Sequence, residues 1–212
     1  MQRPLTYLSI TALIVGLAFV LTINDFLAIN RRVEANILVV EGWVCNHPAI
    51  REAAEEFARG QYRLLITVGG PVGEADGNPD QPSSAMLAAN RLQELGMDKR
   101  RIIVLAVPKV SGHRTYASAL ALRNWLRDSK TQTTGVNVFT IGPHARKSLV
   151  LFTRALGPGI AVGVIAGTDD DYDPDRWWMS VRGIYVIFRK LLGYIYAVTW
   201  PLPEDIPLNV AD

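Results

Sequence analysis

Four short stretches of this 212-residue sequence carry side chains able to hold or move charge, and each comes just after an apolar, β-branched run. Glu41-Gly42-Trp43 follows the first run and Gly69-Gly70-Pro71 the second. His113-Arg114-Thr115 lies beyond the third, and Gly142-Pro143-His144-Ala145-Arg146 beyond the fourth. Arg114 with Thr115, and His144 with Arg146, stand at the starts of two amphipathic segments. A helix start offers unpaired amides and the positive end of the helix dipole, so cations there complete an anion site. Gly69 and Gly70 allow a close backbone approach to a ligand. One such arginine is most simply a salt bridge to a loop carboxylate. Two of them with a Gly-Gly turn on the same edge favour an anionic ligand.

Glu41 is the one carboxylate placed immediately at a strand end. It suits a general base, a metal ligand or a plain partner for Arg114 or Arg146. His144 has the side chain that changes charge nearest neutral pH, and so suits an acid or base role. Cys45 and His47 sit two residues apart in a loop, which reads as a bystander thiol rather than a nucleophile–base pair. Asp169, Asp170, Asp171 and Asp173 lack the spacing of a calcium loop and read as a solvated acidic turn, so no metal is expected.

These residues share one edge only if the apolar runs form a parallel sheet. Strands are expected at 37–40, 64–68, 102–106, 136–141 and 161–165, each nearly continuous in apolar residues, as strands covered on both faces are. Amphipathic helices are expected at 48–59, 84–95, 115–127 and 145–156, the second and fourth closed by Gly96 and Gly157. Alternation of this kind predicts an α/β fold: a doubly wound, mostly parallel five-stranded sheet in a three-layer sandwich. Ligands of such sheets bind beyond the carboxyl ends of the strands, where all four stretches fall.

Both ends of the chain add something else. Leu5 to Ile23 contains no charge and spans about 28 Å as a helix, close to the bilayer core, so residues 1–24 are expected to be an uncleaved transmembrane anchor. Residues 25–36 then form a linker, 37–175 the α/β domain, 176–200 an apolar helix rich in aromatic and basic residues, and 201–212 a tail. The terminal helix suits either a bilayer interface or packing on the sheet; Arg189-Lys190 near its middle argues against a second span. Arg3 on one side of the anchor and Arg31-Arg32 on the other leave its orientation undecided. With a net charge of +2 and no basic run, nucleic acid is not an expected partner. The single cysteine excludes an intrachain disulfide.

The segments VVEGW, ITVGGP, HRTYASA, GPHARKS and YDPDRWW, in that order, resemble the YdcF/SanA/ElyC family of bacterial envelope-associated domains. The resemblance covers residues 37 to about 196. It implies a doubly wound α/β domain and, from the anchored SanA and ElyC branches, an inner-membrane location with the domain on the periplasmic, extracytoplasmic side. It also implies a pocket formed by Glu41, Gly42, Gly69, Gly70, Arg114, Thr115, His144 and Arg146. The chain departs from the family at Glu41, where many members have a glycine-rich turn, and at Phe188, where related sequences commonly hold a glutamate. Envelope integrity, lipid-carrier or peptidoglycan metabolism, and for YdcF an S-adenosylmethionine interaction, are the roles the resemblance implies.

The expected function is therefore a membrane-anchored envelope protein that binds a phosphorylated or otherwise anionic small molecule or lipid-linked intermediate. Arg114 and Arg146 would hold the charge, Gly42, Gly69, Gly70 and Thr115 would complete the cradle, and His144 and Glu41 would carry any phosphoryl hydrolysis or transfer. No cofactor is assigned. A nucleotide or S-adenosylmethionine site would need Glu74 or Asp76 to hold a ribose, and a non-catalytic scaffold would use the same residues only to brace loops.

Overall fold

The computed structural model describes residues 3–73, 82–199 and 201, so Glu74 and Asp76 lie outside the described residues. Eleven principal elements follow one another as α1 (Arg3–Leu27), β1 (Ile37–Glu41), α2 (Ile50–Arg59), β2 (Leu64–Gly69), α3 (Ser84–Glu94), β3 (Ile102–Ala106), α4 (Arg114–Asp128), β4 (Gly135–Ile141), α5 (Ala145–Leu156), β5 (Ala161–Gly167) and α6 (Val181–Thr199). The five strands form one sheet in the order β3-β2-β1-β4-β5, and every pairing is parallel. The fold is thus the expected α/β sandwich, with a wholly parallel sheet.

Side-chain alternation along the buried strands divides the core in two. Leu38, Val40, Leu65, Phe139 and Ile165 face one side and pack with α2 and α3. Val39, Ile66, Val68, Val138 and Val164 face the other and pack with α4 and α5. Near-continuous apolar strands are what this double covering requires. The helices that follow β1 and β2 therefore lie on one face, and those that follow β3 and β4 on the opposite one. The winding reverses between β1 and β4, which are neighbours.

α1 is long and apolar enough to cross a membrane, with a mean hydropathy of 2.1 over Ile10–Leu27. Tyr7, Leu8, Leu13, Ile14, Val15 and Leu17 are exposed, whereas Ile23 and Leu27 are buried against Tyr172, Trp177, Val186 and Ile187. Polar contacts lock this end in place. The Trp177 indole donates to the Val20 carbonyl at 2.9 Å, and the Tyr172 hydroxyl donates to Asn24 Oδ1 at 2.8 Å.

Residues 25–36, expected as a linker, begin inside the last turn of α1. Beyond it, Arg31 forms an antiparallel bridge with Val164 on β5. Asn137, in the middle of β4, accepts from the Val33 amide and donates to the Val33 carbonyl, both at 3.0 Å. Asn137 also donates to Tyr62 Oη, whose own proton goes to Glu56, and Glu56 takes a bidentate pair of hydrogen bonds from Arg32. The route from α1 to β1 is thus fixed by a satisfied polar network, and the α/β domain is held to the end of α1 in one orientation.

Candidate functional site

In an open parallel sheet the ligand crevice opens where the winding reverses, outside the carboxyl ends of the two strands that flank the reversal. Those ends are Glu41 of β1 and the Gly142–His144 turn after β4. The register Val40↔Phe139 sets Glu41 beside Thr140, and both side chains face the α4–α5 layer. Glu41 is buried, and Ser148 of α5 donates to its Oε2 at 2.8 Å. His144 Nε2 stands 3.7 Å from the same oxygen and 3.4 Å from Thr115 Oγ1 at the start of α4. His144 Nδ1 lies 3.3 Å from Lys190 Nζ on α6. An ammonium can only donate, so Nδ1 accepts and the imidazole proton belongs on Nε2. Trp43 closes the group, edge-on to the His144 ring at 5.3 Å between centroids and with Lys190 Nζ 4.8 Å from its own ring centre.

Two partly buried lysines and two exposed arginines give this cluster an excess of positive charge. Burial pushes the Glu41 carboxyl up, against the nearby Thr140 hydroxyl, the hydrogen bond from Ser148 and the charges of Lys147 and Lys190, which favour the anion. Thr140 Oγ1 is fully buried and has no hydrogen-bond partner of good geometry, so its effect on Glu41 is that of a nearby hydroxyl dipole. Burial holds His144 well below its usual range, helped by the charges of Lys190, Lys147, Arg189 and Arg114, so the ring is neutral near pH 7. Burial also lowers Lys147, and the Arg114 and Arg189 charges oppose the pull of Glu41. Lys190 falls to about 8, chiefly through burial and then the Arg189 charge, with Glu41 and Asp169 acting in the opposite sense. Four cations thus act on one neutral imidazole, and two of them, Lys147 and Lys190, also on Glu41.

The expected site residues divide into three groups. Glu41, Thr115 and His144 meet directly, and Arg114, exposed at the start of α4, acts on His144 and Lys147 through its charge. Gly42, Gly69 and Gly70 serve the packing of α3. A Cβ on Gly42 would come 2.5 Å from the Ser84 carbonyl carbon and 2.6 Å from the Ala85 nitrogen. The Gly70 carbonyl accepts both the Ser84 amide at 2.8 Å and the Ser84 hydroxyl at 3.0 Å, and the Gly69 carbonyl accepts the Val107 amide at 3.0 Å. Arg146, expected in the ligand cradle, is turned to α1 instead: its guanidinium lies 3.8 Å over the Phe26 ring and donates to the Phe26 carbonyl.

Lys147, Ser148, Lys190 and Trp43 complete the cluster and are not among the residues expected from the sequence. Lys147 and Ser148 stand inside the GPHARKS segment, next to residues that were expected. The signal for Lys190 was its place in the middle of an apolar helix, where a charge needs a reason.

A separate cleft of about 650 Å³ opens on the other face of the sheet, lined by Cys45, His47, Arg51, Asn90, Arg91 and Glu94 among others. Its Arg91 and Glu94 are spent on an ion pair with each other. Burial pushes the Cys45 thiol up, away from the thiolate form, and His47 Nδ1 accepts the Ala49 amide at 3.2 Å. The Glu41–His144–Lys190 cluster, not this cleft, has the chemistry of a site. Asp171 of the acidic turn pairs with Arg182. Among the described residues no group of three or more His, Cys, Asp or Glu side chains is placed to hold a metal ion. No family model matches the chain, and no curated protein matches it.

Proposed function

We propose that this chain is a membrane-anchored cell-envelope protein of the YdcF/SanA/ElyC type that binds a phosphorylated, anionic ligand at the carboxyl ends of β1 and β4. The observation that carries the reading is the gathering of Lys147 and Lys190 at neutral His144, where burial first and then neighbouring positive charge, that of Arg189 on both and of Arg114 on Lys147, press the two lysines toward deprotonation. An anion among them relieves that repulsion, so the free energy of placing these charges together is recovered on binding. Thr115 adds a hydroxyl donor, and Trp43 shields the lysine from water. Phosphoryl hydrolysis or transfer is the reaction class this set supports, with His144, whose Nε2 proton lies between Thr115 and Glu41, as the group that exchanges a proton with the substrate. α1 is the anchor, and the domain faces the extracytoplasmic side.

The cation excess disfavours S-adenosylmethionine, whose sulfonium would add a further positive charge. Titration of the purified full-length chain in detergent with pyrophosphate, a phosphate monoester and S-adenosylmethionine separates the readings. Saturable binding of the first two, lost in Lys147→Gln and Lys190→Gln with the fold retained, is the expected result. Equal binding by parent and both variants would refute the assignment. Turnover of the monoester that disappears in His144→Gln while binding persists identifies the proton carrier.

A further inference from the structure

We infer that α6 lies in the surface of the bilayer, with one apolar face sunk at the boundary between headgroups and acyl chains, so that the domain is seated on the membrane rather than hung from it. The inference rests on the reading of α1 as a membrane span. Val181, Ile184, Tyr185, Phe188, Leu192 and Ile195 of α6 are all exposed. At about 100° per residue they fall within one stripe along the helix. Gly183, Val186, Ile187 and Ala197 are buried on the opposite side, and Lys190, which reaches His144, falls there too. That side is fastened to the domain by Arg154, which donates to the Ala197 carbonyl at 2.6 Å and the Val198 carbonyl at 3.0 Å.

The bilayer is the occupant because of where α1 places this stripe. A hydrocarbon core of about 30 Å takes up roughly 20 residues of helix. Counted from Arg3, the start of α1, the membrane surface comes near Leu21 to Ile23. The protein's contacts with α1 begin at that level, where Trp177 donates to Val20 and Ile23 is buried. Farther along, Tyr194 of α6 meets the Phe26 ring at 5.4 Å. From Val20, met by Trp177 where it packs on Gly183 of α6, to Phe26, met by Tyr194, the contacts climb α1 by about 9 Å, while α6 from Gly183 to Tyr194 advances about 17 Å. α6 therefore crosses α1 at a steep angle and runs closer to the membrane plane than to its normal. Trp178 is exposed beside the start of α6, and Arg182 and Arg189 flank the stripe, as aromatic and basic residues do at a membrane interface. Lys190 is then about one helix thickness, on the order of 10 Å, from the lipid-facing side. This distance makes a phosphate carried on a lipid the nearest form of the ligand.

The test uses the full chain in nanodiscs, labelled with bimane at single introduced cysteines. The parent, whose Cys45 is buried, provides the labelling blank. Ile184→Cys, Phe188→Cys and Leu192→Cys report the stripe, Leu17→Cys reports the span, and Lys99→Cys reports the far side of the domain. With brominated lipids, loss of most of the emission at Leu17 and at all three stripe positions is expected, with none at Lys99. The depth expected for the stripe is roughly 5–10 Å below the headgroup surface. Quenching at Leu17 but not on the stripe overturns the inference and leaves the anchor standing. A stripe shielded from aqueous iodide as well as from lipid marks a second copy or another protein as the occupant, and also overturns it. No quenching at Leu17 overturns the anchor and the inference together.

Discussion

Lys190→Met is the perturbation whose effect the cluster predicts most distinctively, because it is expected to strengthen the fold while removing the ligand. The native pKa of Lys190 is about 8 against an ordinary lysine value of 10.5. The unfolded chain therefore holds this proton more tightly than the native one. The penalty is fully present below pH 8, and it fades as pH rises from there to the ordinary value. A shift of this size corresponds to about 3 kcal/mol, reduced because the side chain keeps some contact with solvent. Methionine retains the apolar stem against Trp43 and removes the charge. It also removes the donor to His144 Nδ1, a loss of about 1 kcal/mol, and one favourable charge near Glu41. The balance is a net stabilisation of about 1–2 kcal/mol at pH 7, or roughly 2–8 °C in Tm for a chain of this length. Thermal unfolding in detergent at pH 7 and pH 10 reads it directly, and the gap between parent and variant should close at the higher pH. A variant that melts below the parent at pH 7, with a pH-independent gap, would refute the reasoning.

Glu41→Gln removes the carboxylate that helps hold the lysines protonated, so the pKa of Lys190 should fall below about 8 in a heteronuclear NMR titration of its Nζ. An unchanged value would detach Glu41 from the cluster. Gly42→Ala should lower the unfolding free energy by about 1–3 kcal/mol, because the new Cβ meets backbone of α3. Arg146→Ala removes the cation over Phe26 and the donor to its carbonyl. Faster hydrogen exchange in the last turn of α1, without a change in β1 and β4, is the expected outcome. Tyr172→Phe leaves Asn24 Oδ1 without its buried donor and should cost about 1–2 kcal/mol in the same unfolding assay.

The sheet was legible because burial on both faces leaves a simple mark: short apolar runs at 37–40, 64–68, 102–106, 136–141 and 161–165 separated by amphipathic helices. The strand order is not written in that pattern, yet it is what singles out Glu41 and His144 from the other strand-end residues. Arg146 shows the limit of local reasoning. A helix start places its Cα at the right edge, but the direction of a long side chain is settled by what packs nearby, here Phe26 from 120 residues earlier in the chain. Gly69 and Gly70 were legible as a tight approach, and the backbone that makes the approach is that of α3 and the segment after β3. Lys190 could be found only as a charge out of place, since nothing local to α6 points to a histidine 46 residues away.

Calorimetric titration of the detergent-solubilised chain with pyrophosphate, run in two buffers of different ionisation enthalpy between pH 7 and pH 10, is the most direct test of an anion site made from crowded cations. Binding should be saturable at pH 7, take up protons near pH 8, and weaken by up to about tenfold per pH unit above it as Lys190 deprotonates. Absence of binding, or binding with no proton uptake and no pH dependence across that range, would contradict the account.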